Sequence, residues 1–121
     1  NNYKSFWCAE KVQNEMLRFE LENNRKPWVA MMGLAFKPNI DDLRESPAKS
    51  ITTKVLQSCN NAQIMVVEPN VAEHNIFKLT NYKEAYEKAD IVVFLVNHNE
   101  FAELNYRNDV KVIDFCGTFK K

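Results

Sequence analysis

Residues 28–56 read WVAMMGLAFKPNIDDLRESPAKSITTKVL, and the fold turns on how this stretch divides. The run from Trp28 to Gly33 is apolar, with no polar alternation. A strand with one wet face alternates, whereas a strand covered on both faces does not. The run therefore predicts a strand inside a parallel sheet. The end of the stretch predicts a helix. Ser46 is a suitable N-cap and Pro47 suits the first helical position. Ala48, Ile51, Val55 and Leu56 then recur as one buried stripe. Between strand and helix lie Lys37, Asp41, Asp42, Arg44 and Glu45, five charged residues in nine positions.

The same alternation continues outward. Upstream, Tyr3 to Asn24 predicts a helix with Ala9, Val12, Met16 and Phe19 on its apolar face, ended by Asn23, Asn24 and Pro27. Downstream, QIMVVEP (Gln63 to Pro69) and DIVVFLVN (Asp90 to Asn97) are further buried strands, and VKVIDF (Val110 to Phe115) is the last. KLT (Lys78 to Thr80) fits a short edge strand, YKEAYEKA (Tyr82 to Ala89) a short helix, and HNEFAEL another. Strands and helices in alternation predict an α/β fold: a doubly wound, mostly parallel, Rossmann-like sheet of about five strands, preceded by one helix. No repeat, low-complexity tract or linker interrupts it.

Composition narrows the function classes. With 121 residues, 45% of them hydrophobic, the chain can bury one core. Sixteen basic residues balance sixteen acidic ones, which argues against a general nucleic-acid binder but leaves room for a local anion site. Cys8, Cys59 and Cys116 are odd in number and far apart, so a disulfide framework or zinc site is not expected and a reducing cytoplasm fits. Apolar runs are too short for a membrane-spanning helix, and the start has no signal-peptide pattern. The absence of an initiator Met suggests a piece of something longer.

Ligands of open α/β sheets bind beyond the carboxyl ends of the strands. The loop after the first strand lies there, with a helix N-terminus, Lys37 and Arg44, a combination suited to phosphate or diphosphate. The competing reading is that Asp41 or Asp42 pairs with Lys37 or Arg44 and ties the loop down; on the residues alone both stand. A dinucleotide fingerprint needs three glycines at this turn, and the chain holds two in all, Gly33 and Gly117. A side-chain anion site is the better expectation. Glu68, at a strand end, is either an acceptor for a ribose hydroxyl or a solvated carboxylate. His98 is either a base or ligand, or a capping or hydrogen-bonded structural residue. Cys116 has no activating partner in the sequence and reads as a small buried thiol. His74 has no evident partner. Phe6, Trp7 and Phe19 read as packing, on this domain or on another.

GLAFKPNIDDLRESPA (Gly33 to Ala48) resembles the signature of the UDP-glucose/GDP-mannose dehydrogenase family, G-[LF]-A-[FY]-K followed by D-x-R-E-S. VVEPN, KADIVVFLVNHNEF and VIDFCG resemble later blocks of the family in the same order. The likeness is greatest to the branch that oxidises UDP-N-acetylmannosamine. It implies that residues 1–26 end a central, dimerising helical region and that 27–121 form the C-terminal UDP-binding domain. By the resemblance, Phe36 and Lys37 contact the UDP-sugar, and Arg44 reaches NAD across a cleft. Asp42, Glu45 and Ser46 hold the loop's shape. It further implies an enzyme that converts a UDP-sugar C6 alcohol to a carboxylate with NAD, which is bound mainly by an N-terminal domain. Partners are the rest of the parent enzyme and, at full length, a second copy. None of the three cysteines matches the family nucleophile in its G-G-x-C segment, so no catalytic residue is assigned, and none binds metal. Glu68 replaces the usual Asp, and DFCG lacks an arginine that some relatives carry. A non-catalytic nucleotide-binding module and a purely structural α/β domain are the alternatives.

Overall fold

Strand β1 (Trp28–Met32) is the spine of the molecule. It pairs in parallel with β2 (Gln63–Val67) on one side and β3 (Ile91–Phe94) on the other, and β4 (Lys111–Asp114) continues beyond β3. The sheet order is β2-β1-β3-β4. This architecture comes from a computed structural model, which describes residues 2–34, 46–58, 63–69, 78–105 and 107–116.

Successive β1 side chains point to opposite faces, and both faces are covered. Val29 and Met31 pack with Ile91, Val93 and Ile113 beneath helices α1 (Asn2–Asn23) and α2 (Pro47–Ser58). Ala30 and Met32 pack with Val92 and Phe94 against α3 (Tyr82–Lys88) and a 3₁₀ helix (Asn99–Glu103), whose Phe101 is fully buried. This two-sided burial is why the run shows no polar alternation. The chain moves from β1 to β2 through α2, then from β2 back past β1 to β3 through α3. Parallel crossovers share one hand, so reversing the direction of travel puts the two helices on opposite faces.

Helix α1 buries Cys8, Ala9, Val12 and Met16, with Phe19 packed beside them. It stops where Asn24 takes φ 57°, the left-handed conformation that asparagine tolerates, while its N–H still reaches the Glu20 carbonyl at 2.9 Å. In α2 the buried stripe is Ala48, Ile51, Thr52 and Val55, with Leu56 half-buried in a small cluster around Leu34 and Val66.

Three elements are shorter than the sequence pattern suggests. Lys78–Thr80 contributes a single parallel bridge, Val66 to Leu79, so among the described residues the sheet has four strands with this bridge at its β2 edge. β3 stops at Phe94 because the Leu95 and Val96 N–H groups both turn to the Met32 carbonyl, at 3.0 and 3.4 Å. The helix expected over HNEFAEL is one 3₁₀ segment, with Phe101 N–H on the His98 carbonyl and Leu104 N–H on that of Phe101.

The amino edge of the sheet is fastened by charge. Asp90 accepts both terminal N–H groups of Arg25 at 2.9 Å and the Trp28 backbone N–H at 2.9 Å. Arg107 donates to the carbonyls of Tyr86, Glu87 and Ala89 at the end of α3 and pairs with Asp109. The Lys88 ammonium lies 4.3 Å above the Trp28 ring.

Hydrogen bonding to the Arg25 guanidinium holds the Asp90 carboxyl below the ordinary carboxylate range. A group depressed in this way stabilises the fold above its unfolded pKa, near 4, and loses that contribution as the pH falls through its folded value. Asp90→Ala should therefore cost about 1–2 kcal/mol in urea unfolding at pH 7. The gap to wild type should narrow as the pH drops below about 4. A second expectation concerns Gly33, which ends β1 at φ +105° with Val96 packed against it. A Cβ there would lie 2.8 Å from the Val96 Cβ. Gly33→Ala should lower stability by about 2 kcal/mol or more, read in the same assay.

Candidate functional site

All four strands run the same way, so their carboxyl ends share one edge. β1 and β3 are neighbours there, yet the chain leaves β1 toward β2 and arrives at β3 from β2. The connections diverge at this point, which is where open α/β sheets form a crevice.

Segment 35–45 starts and ends at this crevice. On its near side, Gly33 N–H donates to the Val67 carbonyl at 2.8 Å, and Leu34 N–H donates to Glu68 Oε1 at 2.8 Å. On its far side, the Ser46 hydroxyl donates to the Leu34 carbonyl at 2.5 Å and accepts from the Lys49 N–H at 3.0 Å. Ser46 thus caps α2 as its sequence position predicts, and also ties the end of the segment to its beginning. The twelve-residue helix α2 points its N-terminus, with about half a unit of positive charge, toward this edge.

Phe36, Lys37 and Arg44, together with Asp42 and Glu45, lie outside the described residues. So do His74 and Cys59. What the described residues define is the frame that holds the segment: Gly33, Leu34, Ser46, Glu68 and His98.

Glu68 departs from both readings available in sequence, whereas His98 takes one of them. Glu68 is 3% exposed, neither a solvated carboxylate nor an open ribose acceptor. Besides the Leu34 N–H, its Oε1 contacts His98 Nε2 at 3.0 Å, and both side chains are wholly shielded from solvent. His98 occupies the N-cap position of the 3₁₀ helix without a side-chain capping bond, and its ring meets Phe101 edge-on at 5.6 Å. The structural role considered for His98 is therefore the hydrogen-bonded one, not the capping one. The sequence signal for the pair is faint: two polar residues, each at the end of an apolar strand. Cys116 is half-buried rather than buried, with its thiol 3.6 Å from Asp114 Oδ1.

This edge does not fit a resident dinucleotide. The glycine at the turn packs against Val96 instead of making room for a pyrophosphate, and the strand-end acid is already engaged inside the protein. Among the described residues no cluster of His, Cys, Asp and Glu could hold a metal ion, and no helix is long and apolar enough to cross a membrane.

Residues 30–120 match the model of the UDP-glucose/GDP-mannose dehydrogenase family, UDP binding domain. The chain is 41% identical to a UDP-N-acetyl-D-mannosamine dehydrogenase of Campylobacter jejuni, over 96% of this chain and 31% of that protein. It is 38% identical to an NDP-N-acetyl-D-galactosaminuronic acid dehydrogenase of Ralstonia solanacearum, over 87% of this chain and 24% of that protein. The native structure of a UDP-N-acetyl-mannosamine dehydrogenase from Staphylococcus aureus superposes with a TM-score of 0.74 at 22% identity, covering all of this chain and 29% of that one. That likeness shows the fold. The chain spans about a third or less of the length of these relatives. A sheet wound both ways from β1 and a family match over residues 30–120 agree: the chain belongs to the UDP-glucose/GDP-mannose dehydrogenase family, as its UDP-binding domain.

Proposed function

We propose that the chain is the C-terminal nucleotide-sugar-binding domain of an NAD-dependent UDP-sugar 6-dehydrogenase. Its substrate would be UDP-N-acetylmannosamine, oxidised to the uronate. The carrying observation is that the family match spans the signature segment, whose two ends are anchored at the crevice by Leu34 and Ser46. The two relatives named above act on different sugars by their names, and the one that names UDP-N-acetyl-D-mannosamine shares more of this chain.

In this reading Lys37, three residues past Leu34, supplies a cation to the diphosphate, and Phe36 packs beside the nucleotide sugar. The N-terminus of α2 adds its partial positive charge. Arg44, two residues before Ser46, reaches NAD held mainly by another domain. Oxidation of the alcohol belongs to parts of the parent enzyme that carry the nucleophile and the glycine fingerprint. The product suits surface-polysaccharide synthesis in the cytoplasm, where thiols such as Cys8 and Cys116 stay reduced.

Residues 1–26 would end the central helical region. Phe6, Leu17 and Leu21 are 59%, 59% and 86% exposed on α1. Their positions fall within about 60° around the helix axis. The opposite face of α1 is buried in this domain's core. An apolar outer stripe of this kind supports contact with the rest of the parent enzyme and, at full length, a homodimer.

Two measurements test the proposal. Calorimetry of the 121-residue chain should show UDP binding, weakened about tenfold or more in Lys37→Ala through loss of a charge-assisted phosphate contact. Equal affinity of the two would count against it. The same chain mixed with UDP-N-acetylmannosamine and NAD should produce no NADH absorbance.

A further inference from the structure

Helix α1 is apolar on two faces, and the family match, which begins at residue 30, leaves it out. On its inner face Ala9, Val12 and Met16 lie in one cluster with Met31 of β1, Val55 of α2 and Val93 of β3. Val12 is as fully shielded from solvent as Met31. The helix therefore supplies, with α2, the layer that keeps this face of the sheet dry, and a sheet face without such a layer does not stay folded in water. Side-chain contacts extend the attachment. Gln13 Nε2 donates to the Ser58 hydroxyl at the end of α2 at 2.7 Å, and Trp7 meets Phe115, the residue after β4, edge-on at 6.3 Å.

The connection from α1 to β1, residues 24–27, is fastened as well. It holds no glycine, and Pro27, which fixes its own φ, is buried. The Arg25 guanidinium lies 4.8 Å above the Phe19 ring near the end of α1 and donates through both terminal nitrogens to Asp90 at 2.9 Å. Asp90 also accepts the N–H of Trp28, the first residue of β1. One arginine and one aspartate thus staple the last turns of the helix to the start of the central strand. Movable joints fall in pliable linkers that few contacts cross. Here the linker is stapled, and a core cluster spans it.

We propose that α1 is a rigid coupling arm. It folds as one unit with the sheet, so that a contact on its outer stripe of Phe6, Leu17 and Leu21 displaces the whole domain as one body. The domain then moves about a joint outside α1, not at residues 24–27. A boundary at residue 26 would separate regions of sequence, not folding units. The neighbour that meets the outer stripe rests on the function proposed above; the coupling does not.

The test is native-state hydrogen exchange of the 121-residue chain, read at the amides of Val12 and Met16 in α1 and of Ala30 and Met31 in β1 across low urea concentrations. In wild type both sets should exchange through the same opening, with equal protection and equal urea dependence. Val12→Ala leaves a cavity on the inner face and should lower the protection of both sets by the same factor, about tenfold or more. Arg25→Ala removes the staple but not the inner face, so both sets should again fall together. Leu21→Ser, on the outer stripe, should change neither. Residual dipolar couplings give a second reading: α1 and the strands should fit one alignment in wild type and in Arg25→Ala.

Exchange of the α1 amides through a smaller opening than those of β1 in wild type overturns the proposal. So does a Val12→Ala chain in which α1 loses protection while β1 keeps it. An Arg25→Ala chain whose helix and strands need two alignments would place the joint at residues 24–27 and overturn it too. Should Val12→Ala prove unfolded, the wild-type comparison and Arg25→Ala decide the question.

Discussion

β1 is covered on both faces and paired on both edges, so its backbone can leave the sheet only past its carboxyl end. At Met32 that exit is already crowded. The Met32 carbonyl accepts the N–H groups of Leu95 and Val96, and Val96 packs against the next residue, Gly33. The chain escapes by taking a positive φ that glycine alone adopts without cost. From this constraint the rest follows. Leu34 emerges with its N–H aimed at β2, where Glu68 waits, and its carbonyl aimed at the start of α2, where Ser46 waits.

The two edges of the sheet use charge differently. At the amino edge, charged side chains lie partly in solvent: Arg25 pairs with Asp90, and Arg107 pairs with Asp109 while donating to backbone carbonyls at the end of α3. Such pairs contribute modestly and weaken with salt. At the carboxyl edge, Glu68 and His98 meet inside the protein, shielded from solvent. Exposed pairs can be traded for one another with little effect on shape, whereas a buried pair dictates the geometry of whatever touches it.

Much of this was legible in the sequence, for identifiable reasons. Signals that act over a few residues carried through: the Ser46–Pro47 start of α2, the Asn24 end of α1, and the unbroken apolar runs of β1 and β3. What a linear reading missed were relations set by topology. Glu68 and His98 are thirty residues apart and meet only because the chain crosses β1 on its way to β3. Read singly, a glutamate before proline looks solvated, and a histidine after a strand fits a hydrogen-bonded role without naming its partner. Thr52 was passed over because a hydroxyl breaks an apolar stripe in sequence, although its position on α2 faces the core. Lys78–Thr80 had the composition of a strand, but it meets the β2 edge in a single bridge, with the Thr80 N–H on the Val66 carbonyl.

The hydrogen bond from Ser46 to Leu34 joins the ends of the signature segment independently of what lies between them. Closing a loop costs free energy that grows only with the logarithm of its length, about 0.6 kcal/mol for each doubling. Once both ends are held by the sheet and by α2, insertions or substitutions in between draw little on the stability of the domain.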